Sequence, residues 1–312
     1  MKPLLADDWI EDRLTFPKIV QPKIDGVRAL NMTGVLTGRS LKKHKNVHVT
    51  TLFSHSALVG LDGEMAAQYE CHPEICRLTS SALGTIKGTP WMLWHLFDLV
   101  TPETRNLPYR TRLSLLNARM YEIGREQSHL YQHLRLIPSQ EVNSLAELLE
   151  FEDIALSAGY EGVIIRDPDA PHKEGRSGKT PILWRIKRFV DFEFKVKTVI
   201  EGEENQNEAQ TNELGNTFRS SHQENKVANG MIGAMIGECL TVVKDGDKVL
   251  FEKGQEVKVG AGRLSHEQRK YYFENQDEFK SKVHKGKFFP KGIKDKPRFP
   301  TWQTFRSEAD IS

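Results

Sequence analysis

Gln21-Pro22-Lys23-Ile24-Asp25-Gly26-Val27-Arg28 places a lysine two residues before an aspartate, with a glycine and an arginine after it. The chemistry open to such a group is nucleophilic. A free lysine has a pKa near ~10.4 and is a solvated cation. Burial or neighbouring cations lower that value and leave the amine able to attack. Read alone, the stretch is more simply an edge strand with surface charges and an ordinary Asp-Gly turn. Other groups sharpen it. Asp62-Gly63-Glu64 sets two acids on one face of an apolar strand. Acids there are costly unless paired, so Glu64 is expected to meet a cation, a hydroxyl or a metal. Glu161 and Gly162 open another apolar strand, and Arg185 and Lys187 sit two apart on a third. Two cations on one face of an interior strand need an anion, and phosphate is the natural one.

These groups need rigid elements to hold them. Alternation around Lys23 predicts a strand, a Gly-assisted bend and a second strand. Further strands are expected over Val59–Met65, Met92–Leu99, Tyr160–Pro168 and Ile182–Lys187. The run Met92–Leu99 is nearly all apolar, the kind buried on both faces. Helical spacing marks Arg110–Glu126, and Ser144 with Glu147 forms a capping box for a helix ending at Gly159. A basic cluster, Arg39 to Lys45, follows the short run Val35–Gly38. The fold expected is α+β: an N-terminal domain over 1–190 with antiparallel sheets and flanking helices, and a C-terminal domain over 191–312. In the second domain, strands at Phe194–Ile200, Met231–Val243, Lys248–Phe251 and Val257–Gly260, with a helix from Ser265 capped by Gln268, suggest an OB-type barrel. Gly202–Asn225 has almost no apolar residues and is expected to be a mobile insertion.

Composition narrows the partners. Hydrophobic residues make up 38% of the 312, enough for a core. The net charge of +2 does not by itself imply nucleic acid. From Lys282 to Arg298, however, seven basic residues face one acid, Asp295. Cys71, Cys76 and Cys239 give no disulfide framework and no common zinc spacing. Met1–Glu11 has no long apolar run, so no signal peptide is expected and the location expected is cytoplasmic. No stretch is long and apolar enough to span a membrane.

In order along nearly the whole chain, these pieces resemble the ATP-dependent DNA ligases, in particular the minimal two-domain viral and phage enzymes. That family lies in a superfamily with RNA ligases and mRNA capping enzymes. Lys23–Arg28 resembles motif I, and Arg39 with Lys42 the next motif. Asp62–Glu64 resembles motif III, Phe97–Leu99 motif IIIa, Glu161–Arg166 motif IV and Arg185–Lys187 motif V. Arg298-Phe299-Pro300 through Arg306 resembles motif VI. Three positions depart from the pattern. Gln21 stands where glutamate is common, and Arg166 and Arg185 stand where lysine is common. Arg keeps the charge but presents a planar fork in place of a point charge.

The resemblance implies an N-terminal nucleotidyltransferase (ATP-grasp-like adenylation) domain, an OB-fold domain and a DNA-clasping latch at about 202–231. It implies that Lys23 takes AMP from ATP, that AMP passes to the 5′-phosphate of a nick in duplex DNA, and that the 3′-hydroxyl then displaces AMP. In this picture Arg28 and Arg39 bind ribose or the nick phosphate, and Gln21 accepts from the adenine amino group. Phe97 and Ile164 sandwich adenine. Glu64 holds ribose or organises the metal site, and Glu161 binds Mg²⁺, directly or through water, an ion that Mn²⁺ can replace. Arg185 and Lys187 contact the α-phosphate, Arg298 and Arg306 orient pyrophosphate, and Asp25 helps activate the 3′-hydroxyl. Lys42, Lys285, Lys287 and Lys291 face DNA, and the protein acts as a monomer. The rivals are an RNA ligase, a GTP-using capping enzyme and an inactive nucleic-acid binder. Retention of Lys23, Glu161 and Lys187 opposes the last. The short chain, without zinc-binding cysteines, opposes an NAD-dependent ligase.

Overall fold

The computed structural model describes residues 1–306 apart from Pro73, Lys179, Pro181, Leu214, Asn216, 221–222, 246–247 and 291–296. The chain forms two compact units, Met1–Lys187 and Arg188–Ser312.

The first unit is built on two five-stranded sheets. One has the order Asp7–Asp8, Leu183–Ile186, Gly162–Arg166, Lys18–Lys23, Gln140–Val142. Val20, Val163, Ile165, Trp184 and Ile186 bury one face of it beneath the helix Leu145–Ser157. Side chains alternate along a strand, so Gln21 and Lys23 are turned to the other face. Pro22 is tolerated inside Lys18–Lys23 because the neighbouring strand Gln140–Val142 pairs only as far as Val20. The second sheet has the order Thr37–Gly38, Val27–Leu30, Leu61–Ala66, Leu93–Leu99, Leu134–Leu136. Ala29, Leu61, Met65, Trp94 and Leu96 pack with residues of the helices Val47–Phe53, Ile75–Gly84 and Tyr109–Glu126.

The residues between Lys23 and Val27 carry the chain from one sheet to the other, so motif I spans both. The helix Val47–Phe53 was not expected, because Val-His-Val-Thr-Thr reads as strand. The Asn46 side chain accepts from the Val49 amide and caps it, while Val49 and Phe53 enter the core.

In the second unit a closed barrel runs Val190–Asn205, Lys226–Cys239, Glu256–Gly260, Arg298–Arg306, Val283–Phe289. In chain order the strands sit 1-2-3-5-4, the Greek-key arrangement of an OB-type barrel. The helix His266–Glu274 starts on the expected capping box of Ser265 and Gln268. The insertion lies between two barrel strands, as expected, and carries strand pairing of its own. Val190–Asn205 and Lys226–Cys239 run out together as a ribbon as far as the Asn205–Lys226 pair. Ala209–Thr211 then pairs with Thr217–Arg219. Backbone pairing needs no apolar side chains, so the polar composition marked exposure and not a lack of structure.

Candidate active site

Register fixes the site in the first sheet. Gln21 lies opposite Ile164, and Ile164 opposite Arg185. Lys23 lies opposite Gly162. One step further along the same antiparallel register is Lys187. The expected face is therefore shared by Gln21, Lys23, Ile164, Arg185 and Lys187. Gly162 adds no side chain to this row, and it has φ of 153°. A Cβ there would strike the Ile186 carbonyl oxygen, so glycine alone allows the strands to close.

At the centre, the ammoniums of Lys23 and Lys187 both bond to the carboxylate of Glu161. The Glu161 amide also donates to the Lys23 carbonyl at 3.0 Å, tying the two strand ends together. Burial works against the charge on Glu161, but the two ammoniums outweigh it and hold the carboxyl below the usual range. The expectation of a depressed Lys23 is corrected. Burial pulls its pKa down, yet the carboxylates of Glu161, Glu64 and Asp25 together raise it above the ordinary lysine value. The depressed amine is Lys187: burial, aided by the Lys23 charge, outweighs its share of Glu161.

The second sheet supplies the opposing groups. Arg28, Glu64 and His95 form one cross-strand row. Arg28 forms a two-pronged pair with Asp62, Nε to Oδ1 at 2.6 Å and Nη2 to Oδ2 at 2.7 Å. Asp62 was not among the expected site residues. Its part in holding Arg28 was legible only as one of two acids on the strand. Asp62 neutralises Arg28, and Glu64 faces Lys23. Burial pushes Glu64 up to about 7, with Lys23 and Arg28 pulling the other way. Gly26 makes this approach possible: a Cβ on it would collide with the Met65 carbonyl oxygen and the Glu64 Cγ. His95 is buried, with Nε2 unpartnered.

Phe97 is 9% exposed and packs with Ile24, Ala66, Ile75 and Ile137. The Arg28 guanidinium lies over its ring at 4.5 Å and that of Arg166 at 5.1 Å. Arg166 does not reach a solvent-facing site. It pairs with buried Asp98 at 2.7 Å, beside Arg112, which binds the same carboxylate at 2.8 and 3.1 Å. Burial opposes the Asp98 charge, but the two guanidiniums win and hold its carboxyl at about 2. Sequence reasoning missed this network because its members are 14 and 68 residues apart.

Other expected residues have partners of their own. Gln21, nearly fully buried, donates to Ser139 Oγ at 2.8 Å. Arg185 pairs with Asp8 at 2.9 Å, on the added N-terminal strand Asp7–Asp8. Arg185 and Lys187 therefore share a face, but only Lys187 joins Glu161. Arg39 and Lys42 are exposed on a turn after Thr37–Gly38, the edge strand of the second sheet. In the barrel unit, Lys285 pairs with Asp191 at 2.6 Å, and Lys287 lies over the Phe189 ring at 4.1 Å. Arg306 approaches Glu193 at 3.7 Å, and Arg298 begins the last strand, Arg298–Arg306. Lys291 falls outside the described residues.

Among the described residues no three His, Cys, Asp or Glu side chains cluster as a metal cage. Glu64 and Glu161 are oxygen donors of the class that suits Mg²⁺, an ion that keeps water and phosphate oxygens for most of its shell. The residues fit an ion shared with a phosphate better than one held by protein alone. No helix of the described residues is long and apolar enough to cross a membrane.

A profile described as the ATP dependent DNA ligase domain matches residues 11–187. Among solved structures, the chain resembles the Chlorella virus DNA ligase-adenylate, with 25% identity over 98% of this chain and 99% of that one and a TM-score of 0.52. A second structure of that ligase-adenylate gives 26% identity over 99% of both chains, with a TM-score of 0.52. A Lig E DNA ligase shares the fold at 20% identity, covering 98% of this chain and 99% of that one, with a TM-score of 0.69. No curated protein matches the chain significantly.

Proposed function

Because the chain belongs to the ATP-dependent DNA ligase family, an enzyme family that works through a covalent adenylate, we propose that Lys23 is the residue that carries AMP. Its substrate is nicked duplex DNA, on which it acts as a monomer. In the first step Lys23 Nζ bonds to the α-phosphorus of ATP, the bond to the β-phosphate oxygen breaks, and pyrophosphate leaves. The Lys23 ammonium gives up one proton to become the attacking amine and a second as the N–P bond forms, both passing to solvent. In the second step a 5′-phosphate oxygen at the nick displaces Lys23 from the adenylate and restores the amine. In the third, the 3′-hydroxyl bonds to the phosphorus of the nick 5′-phosphate, the bond from that phosphorus to the AMP oxygen breaks and AMP departs, with Asp25 accepting the hydroxyl proton.

Each step spreads charge over phosphate oxygens, so positioning and cations do most of the work. Lys187 and Arg185 face the α-phosphate. Gln21 reads the adenine amino group, with Phe97 and Ile164 on either side of the base. Arg28 and Arg39 hold ribose or the nick phosphate. Arg298 and Arg306 orient pyrophosphate, while Lys42, Lys285, Lys287 and Lys291 meet the DNA backbone, and the ribbon clasps the duplex. Glu161 and Glu64 hold Mg²⁺, or Mn²⁺ in its place. When bound, the ion draws carboxylate charge away from Lys23 and offsets that of the phosphates.

The observation that carries this reading is the sharing of one buried carboxylate by Lys23 and Lys187. Incubation with Mg²⁺ and ATP labelled at the α-phosphate tests it. Label should attach to the native chain and not to Lys23→Ala; equal labelling of both removes Lys23 from the role.

A further inference from the structure

Two guanidiniums crowd the ring of Phe97. Only 9% of the residue is exposed, and guanidinium carbons stand 4.5 Å (Arg28) and 5.1 Å (Arg166) from its ring centroid. A purine cannot stack on this ring while both stay in place. The two arginines are not equally free to leave. Arg166 is 3% exposed, is bound to Asp98 at 2.7 Å and lies 4.3 Å over Tyr109. The Tyr109 hydroxyl donates to the Phe97 carbonyl at 2.9 Å, so ring, backbone and arginine form one packed block. Arg28 is held by Asp62 and by a long contact of 3.4 Å to the Leu4 carbonyl, and its side chain keeps 16% exposure.

We propose that Arg28 is a specificity-determining cover over the base-stacking face of Phe97, and that a base enters only by displacing it. This rests on the reading that the base stacks on Phe97. Displacement strips Arg28 of its ring contact, a loss that the ribose hydroxyls of a bare nucleoside, being neutral partners, offset only weakly. A nucleotide offers phosphate oxygens to the freed guanidinium, a charge-assisted and often two-pronged partner. Arg28 thus favours phosphorylated ligands over nucleosides of the same base. It does so by penalising the nucleoside as well as by attracting the phosphate.

Equilibrium dialysis tests this on the full chain, freed of bound adenylate by pyrophosphate and kept in EDTA, with adenosine and ATP as the probes. Phe97→Leu should weaken binding of both. Arg28→Lys keeps a charge beside Asp62 but loses the planar stack. The pair Arg28→Met/Asp62→Asn removes both partners together, so no buried charge is stranded. Both Arg28 variants should bind adenosine about five-fold tighter, the loss of one cation–π contact, while ATP binds more weakly. Adenosine affinity unchanged or reduced in both Arg28 variants, with Phe97→Leu still weakening it, overturns the cover and leaves the stacking role standing. Adenosine affinity unchanged in Phe97→Leu overturns both.

Discussion

The side chains of Lys23 and Glu161 bond across two adjacent antiparallel strands, from the strand end Lys23 to the residue just before Gly162. This contact sets the acid–base state of the amine. With Glu161 present the Lys23 pKa lies above the ordinary lysine value, so the neutral, nucleophilic form is scarce at neutral pH. Glu161→Gln removes the largest anionic contribution while burial remains. The Lys23 pKa should then fall, and the pH midpoint of adenylation should move to lower pH. The plateau rate should drop as well, by about a hundred-fold, because Lys187 loses the carboxylate that holds it. Single-turnover labelling from about pH 6 to 11.5 separates the two effects. A lower plateau with an unmoved midpoint would mean that Glu161 does not control the amine.

Gly26 allows the bend between the sheets to lie against the strand Leu61–Ala66. Gly26→Ala must push back both the Met65 carbonyl and the Glu64 side chain. Because the nearer of the two is backbone, the bend and the strand Leu61–Ala66 separate locally and Glu64 shifts with them. Overpacking of this kind costs about 1–3 kcal/mol. Adenylation should fall by at least about ten-fold for a displacement of this size. The melting temperature should drop only modestly, because the Met65 core behind it is intact. Unchanged adenylation in a folded Gly26→Ala chain would show that this close approach is not needed.

His284 makes the barrel sensitive to acid. It is fully buried, its ring accepts from Trp302 Nε1 at 3.0 Å and bonds to the Phe279 carbonyl at 2.9 Å. Phe194, Phe279 and Phe305 surround it, and the Lys282 charge adds to the effect of burial. Burial first, and Lys282 next, lower its pKa from 6.5 to about 4 despite the Phe279 carbonyl. The unfolded chain therefore takes up a proton below 6.5 while the folded barrel does so only below about 4. The contribution of the neutral ring is complete above pH 6.5 and is lost as pH falls from there to 4. At its limit the loss is about 3 kcal/mol. Thermal melts of the whole chain across this range should show it, and His284→Gln should flatten the slope. An equal slope in the variant would assign the acid sensitivity elsewhere.

The parts legible in the sequence were those set by short-range pattern. Alternation around Lys23, the capping boxes at Ser144 and Ser265, and the spacing of Arg185 and Lys187 each determine a local geometry. The face shared by Gln21, Lys23, Ile164, Arg185 and Lys187 follows from strand periodicity once the strands pair. What could not be read was which charge finds which. Asp62 takes Arg28, Asp98 takes both Arg112 and Arg166, and Asp8 takes Arg185. These choices depend on sheet order, which no local pattern encodes. The sign of the Lys23 shift was lost for the same reason. Its burial was visible in the strand, but three converging carboxylates were not.

The ribbon poses a question of charge. Residues 201–225 hold six glutamates against Arg219 alone, a net of −5. A clasp that worked by neutralising phosphates would carry the opposite sign. A ribbon that clasps a duplex, as proposed, would do so through backbone and polar side chains, against a repulsion that salt screens. Excising residues 206–225 should leave adenylation of Lys23 unchanged, since the first sheet pair is untouched. Nick affinity should fall, and the deficit relative to the native chain should grow as salt rises, because removing the glutamates compensates only where screening is weak. Filter binding of a nicked duplex over about a ten-fold range of salt reads this directly. A deficit that shrinks with salt would mark the ribbon as an electrostatic clasp after all, and equal affinity at every salt concentration would remove it from the DNA contact.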